Sequence, residues 1–113
     1  MTARLASGML VSALVRRTEA EGGHAMVLVK GDVTAGSILI VLTEKGRNIG
    51  VYERTISGDG SYHWGRVGPQ DIDSAEEFDR YIQRRREFDP DIWVIELDVP
   101  SGERLIAEMM GDD

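Results

Sequence analysis

Two short stretches carry side chains able to grip a ligand. Arg16 and Arg17 stand side by side near the end of an apolar-periodic segment. A guanidinium there can hold a carboxylate or a phosphate through two parallel hydrogen bonds. The competing reading is a pair of cations that simply favours the negative end of a helix. Lys30-Gly31-Asp32, followed by Ala35-Gly36, makes a charged, glycine-containing bend between two apolar runs. Loops on a rigid scaffold often carry function, yet turn chemistry also explains these residues, through local bonding by Asp32 and positive φ at glycine. Arg16, Arg17, Lys30 and Asp32 are therefore the candidate binding residues.

Catalytic and metal chemistry find less support. His24 and His63 are the two histidines, and they form neither an HExxH nor an HxH pattern; no DxDxDG loop offers calcium ligands. Gly31 and Gly36 have the outer glycine spacing of a phosphate-binding loop, but Ser37 stands where lysine is required. There is no GxSxG elbow, and the absence of cysteine removes thiolate nucleophiles, zinc-thiolate sites and iron–sulfur clusters. No catalytic residue, metal or cofactor is assigned. A small hydrolase- or transferase-like enzyme survives as the rival, working through His24 or His63 with Asp32, Glu53 or Ser37. It requires a histidine and a carboxylate within hydrogen-bond reach in one pocket.

Composition narrows the partners. The 113 residues include 13 basic and 20 acidic side chains, a formal charge of −7. Residues 1–56 carry 7 basic and 5 acidic groups, and the remainder 6 and 15. The acidic half would repel a phosphate backbone, which disfavours nucleic acid. No apolar run reaches the roughly 20 residues of a membrane-spanning helix, and Ser7, Gly8 and Ser12 interrupt the apolar start in a way that argues against a signal peptide. With 42% apolar residues, one domain over residues 1–113 with one modest core is expected.

The elements that must position these groups are readable from local pattern. Leu10, Val11, Leu14 and Val15 recur at helical spacing and Gly22-Gly23 supplies a stop, although Met9, Val11, Ala13 and Val15 also alternate as a strand would. His24–Lys30 and Ser37–Thr43 read as strands covered on both faces at the sheet centre, joined hairpin-like through residues 31–36. Lys45-Gly46-Arg47-Asn48 is a turn before a strand over Ile49–Ile56, and Gly58-Asp59-Gly60 leads to another over Ser61–Val67, completing a four-strand meander. Tyr62 and Trp64 then share one sheet face, with His63 on the other. Ser74 and Glu77 make a capping box for a helix ending at Phe88. Its buried stripe is Phe78, Tyr81, Ile82 and Phe88, with Arg85 reaching out to water. Ile92–Val99 is a fifth strand, and Leu105, Ile106 and Met109 suggest a short terminal helix. The expected fold is an α+β two-layer sandwich, a mainly antiparallel sheet of about five strands with two main helices, in the order helix, four strands, helix, strand.

The Arg16-Arg17 helix before Gly22-Gly23, the KGDVTAGSILIVL stretch from Lys30 to Leu42 and the FDPDIWVIEL stretch from Phe88 to Leu97 resemble domain of unknown function family 1491, a family of small bacterial proteins. The likeness spans nearly the whole chain. It implies a stand-alone cytoplasmic bacterial protein and supplies no activity, cofactor or catalytic residue. The expected function is a non-catalytic binding or adaptor module for an anionic small ligand or a protein partner. A homo-oligomer formed through an uncovered strand edge is the third possibility.

Overall fold

A computed structural model of the chain describes residues 6–56, 58–68 and 75–111. Helix α1 spans Ser7–Ala20, strands β1 to β4 span His24–Val29, Ile38–Glu44, Arg47–Ile56 and Tyr62–Val67, helix α2 spans Ala75–Phe88, strand β5 spans Trp93–Asp98, and helix α3 spans Gly102–Gly111. The α+β class, the five strands and the order helix, four strands, helix, strand agree with the sequence reading. The Ser74 cap lies outside the described residues.

The strand order is β1-β5-β2-β3-β4, with β2 and β5 parallel and every other neighbouring pair antiparallel. This corrects the four-strand meander: only β2, β3 and β4 run consecutively, and β5 inserts between β1 and β2. The reason lies in what β5 must bury. Ile95 and Leu97 face one side of the sheet and Val94 the other, all at essentially zero exposure. A strand apolar on both faces is stable only in an interior position. Strand β1 is left at the edge, where Met26, Val27 and Leu28 are exposed. Its placement at the sheet centre is thus also corrected.

The insertion explains the glycines of the β1–β2 connection. The chain entering β5 passes directly beneath that connection, and a Cβ on either Gly31 or Gly36 would run into the Asp91 carbonyl oxygen. The β2–β3 turn is tighter. Lys45 and Gly46 both take positive φ, 53° and 80°. That is the backbone of a two-residue hairpin loop whose twist matches the strands it joins. Asp98 of β5 caps this turn by accepting from the Lys45 and Gly46 amides at 2.8 and 2.9 Å.

Helices cover both faces of the sheet, so the one helical layer expected becomes two. Leu10, Val11 and Leu14 of α1 and Leu105 and Ile106 of α3 pack on Ile38, Ile40, Leu42, Tyr52, Ile95 and Leu97. On the opposite face, Phe78, Tyr81 and Ile82 of α2 cover Leu39, Val41, Val51, Ile92 and Val94. Phe88 does not join them and is 87% exposed. Residues 78, 81, 82 and 85 centre the inward stripe at 100° per residue, and Phe88 falls at its margin in the last turn. Arg85 holds the central place and points inward, where its guanidinium donates to Glu53 at 2.7 Å and to the Tyr81 hydroxyl at 3.1 Å. The half-buried ion pair replaces the solvated arginine expected.

Candidate binding site

The four candidate residues take four different placements. Asp32 is a brace. Its carboxylate accepts from the Thr34 and Ala35 amides at 3.1 and 2.8 Å, its own amide donates to the Asp91 carbonyl at 3.0 Å, and its carbonyl accepts from the Trp93 indole at 2.7 Å. The amide, the carbonyl and Oδ2 of Asp32 all hold the connection. Arg17 turns toward α3, where it pairs with Glu108 and, at 3.0 Å, with Glu21. Those hydrogen bonds, Glu21's foremost, raise its pKa. Lys30 is exposed beyond the end of β1.

Of the two arginines, only Arg16 stays beside the connection. It lines a groove of about 640 Å³ with Met9 and Ser12 of α1, Val33 and Thr34 of the connection, and Trp93. Adjacent helical residues are 100° apart, which is why neighbours Arg16 and Arg17 serve different surfaces. The groove is rigidly framed: the Ser7 hydroxyl donates to the Gly36 carbonyl at 2.6 Å, and the Ser7 and Gly8 amides donate to the Thr34 and Val33 carbonyls at 3.2 and 2.8 Å. Helix α1 has no side-chain N-cap. The connection supplies carbonyls to its free first-turn donors instead.

A second groove, about 600 Å³, lies on the α2 face between Leu28 and Val29 of β1 and Phe78, Ile82 and Arg86 of α2, with Pro90 at one end and Asp79, Gln83 and Glu87 also lining it. The sequence reading missed it because β1 was assigned to the sheet centre. The signal present was the absence of any acidic residue from Gly22 to Gly31 in an acid-rich chain.

The groups of the enzymatic rival are dispersed. Glu53 and His63 lie on the same sheet face, diagonally across the β3–β4 ladder, where Glu53 opposes Gly65 and His63 opposes Thr55. Glu53 is engaged by Arg85, and the His63 Nε2 lies 2.8 Å from the Thr55 hydroxyl. His24 opposes Asp98 at the start of β1. Burial, reinforced by a hydrogen bond to Glu103, pushes the Tyr52 phenol up to about 12. Among the described residues, no group of three or more His, Asp or Glu side chains is placed to hold a metal ion. No helix among them is long and apolar enough to cross a membrane.

Comparison with known proteins places this architecture in a family. The profile described as "Protein of unknown function (DUF1491)" matches residues 5–107. A crystal structure of a DUF1491 family protein from Caulobacter crescentus CB15 shares 32% identity with a TM-score of 0.74, covering 82% of this chain and 86% of that one. An NMR structure of a DUF1491 family protein from the same organism shares 29% identity with a TM-score of 0.77, over 93% and 94% of the two chains. The solution structure of protein Atu0922 from A. tumefaciens shares 31% identity with a TM-score of 0.68, over 88% and 89%. No curated protein matches the chain. A profile match across nearly the whole chain, together with a shared fold at about one-third identity, establishes that this chain belongs to the DUF1491 family.

Proposed function

We propose that the protein is a non-catalytic docking module that receives an extended segment of another protein along the β1 edge. The observation that carries this reading is the pairing of an exposed apolar edge strand with a groove beside it. Strand β1 bonds to β5 on one side only among the described residues, leaving a row of backbone donors and acceptors available to an added strand. Met26 is 60% exposed, and Val27 and Leu28 are exposed beside it. An added strand projects alternate side chains to opposite faces, so every second residue would enter the groove between β1 and α2.

A second copy fits this edge less well than a different protein. The ladder between β1 and β5 breaks at a bulge between Val27 and Val29. A bulge twists an edge away from straight self-pairing. The formal charge of −7 adds repulsion between copies.

The test is selection of random peptides on the immobilised protein, followed by titration of the enriched peptide into the ¹⁵N-labelled chain. The expected result is saturable amide shifts over His24–Val29 and at Phe78 and Ile82, lost in Leu28→Lys. Failure to enrich any peptide, or shifts centred elsewhere, would overturn the reading. So would a concentration-dependent dimer in sedimentation that Leu28→Lys abolishes, since the edge would then serve self-association.

A further inference from the structure

The Arg16 groove lies on the other face of the sheet from the docking edge and is not used by it. Its construction has four parts. Met9, Ser12 and Arg16 occupy positions i, i+3 and i+7 of α1, and so form one stripe along the helix. Across from them, Val33 and Thr34 stand on a connection held rigid by the Asp32 brace and by the hydrogen bonds from Ser7 and Gly8. Gly8 permits this approach, since a Cβ there would sit only 3.3 Å from the Val33 Cβ. Trp93 closes the floor, its indole nitrogen already committed to Asp32.

The lining is amphiphilic in a directed way. Met9 is 61% exposed and Val33 is 54% exposed, and both line the same concavity. Single exposed apolar side chains are ordinary. Here the two stand on opposite walls of one groove, Met9 on α1 and Val33 on the connection braced by Asp32. The polar groups of the groove are the Ser12 and Thr34 hydroxyls and the Arg16 guanidinium. Among the described residues Arg16 makes no ion pair, whereas its neighbour Arg17 makes two. The volume, about 640 Å³, falls within the range of small-molecule sites.

We infer that this groove binds a monoanionic carboxylate with an apolar body, the carboxylate on Arg16 and the body between Met9 and Val33 over Trp93. A planar carboxylate matches the fork of a guanidinium, and the two hydroxyls can donate to the same oxygens. The charge balance selects the class: one cation neutralises one negative charge, while a phosphate dianion would add uncompensated charge to a chain already at −7. The apolar walls select against a small hydrophilic acid, which would leave Met9 and Val33 in water.

The probe is sodium octanoate, titrated at fixed ionic strength into the ¹⁵N-labelled full chain, with 1-octanol and octyl phosphate as parallel arms. Octanoate is expected to give saturable shifts at the amides of Ser12, Arg16, Val33 and Thr34. Arg16→Gln is expected to weaken binding about tenfold, and Arg17→Gln to leave it within about twofold, because only the first guanidinium faces the ligand. Val33→Ser should weaken octanoate and leave the spectrum otherwise native, and the same spectra report whether each variant is folded. Absence of saturable shifts up to about 10 mM octanoate, the weak limit of a specific site, would overturn the inference. So would equal binding by 1-octanol, stronger binding by octyl phosphate, an unaltered Arg16→Gln, or shifts centred on β1 and α2. These outcomes are independent of the docking edge, whose own test reads different residues.

Discussion

The two faces of this sheet are covered by different physical means. On the α1 and α3 side, helix and sheet both contribute buried side chains: Leu10, Leu14, Leu105 and Ile106 interlock with Ile40, Leu42, Ile95 and Leu97, all at most 2% exposed. On the α2 side the sheet contributes Leu39, Val41, Val51 and Val94, but α2 itself has no fully buried residue. Its hold depends on three half-buried apolar side chains and the Arg85–Glu53 pair. Apolar burial supplies most folding free energy, so the first face carries the stability and the second is the part able to yield. The proposed docking groove borders the yielding helix. The carboxylate groove is built on the rigid side, consistent with a site whose walls must be fixed before the ligand arrives.

Truncations give the largest contrast. Leu14→Ala and Ile95→Ala should each cost about 3–5 kcal/mol in urea unfolding, as complete burial leaves a cavity. Ile82→Ala, half-buried under α2, should cost about 1–2 kcal/mol. Equal costs would erase the distinction between the faces. Native-state hydrogen exchange reads the same contrast without mutation. Amides of α2 should exchange through openings at least about 2 kcal/mol cheaper than those of α1. If both helices exchange at the global limit, α2 is not the weaker layer.

The ion pair sharpens the account of α2. A double-mutant cycle with Glu53→Gln and Arg85→Met should give a coupling of about 1–2 kcal/mol, between the values for exposed pairs and for fully desolvated ones. Zero coupling would leave α2 held by apolar contact alone. The smallest expected effect concerns acid. Amide donation from Gly46 foremost, and from Lys45, holds the Asp98 carboxyl below the usual carboxylate range. Its contribution is therefore fully present above the unfolded pKa and is lost as pH falls through the lower folded value. The urea midpoint should decline on acidification below about pH 4, and Asp98→Asn should flatten part of that decline. A profile unchanged by the substitution would remove Asp98 from the account.

Local signals made most elements legible. The Lys45-Gly46 turn, the alternation from Trp93 to Val99 and the glycine stop after α1 each act over a few residues, and each of the five strands appears within about two residues of its expected bounds. The Tyr62 and Trp64 pair lies on one sheet face and His63 on the other, as a period of two demands. Of the candidate residues, Arg16 lines one groove with Val33 and Thr34 of the connection, whereas Asp32 bonds the backbone of that connection and Arg17 pairs with Glu21 and Glu108. A charged residue in a turn looks the same in sequence whether it faces a ligand or its own backbone.

The pattern of this chain alone determined which segments are helix or strand and in what order, because propensity, periodicity and turn chemistry are properties of neighbouring residues. Which strand lies beside which, and hence which edge is bare, was decided only when distant segments competed for burial. Strand β5, apolar on both faces, took the interior place that β1 also matched by composition. That competition cannot be seen one segment at a time. It set the exposed β1 edge, the glycines over Asp91 and the groove that Arg16 lines.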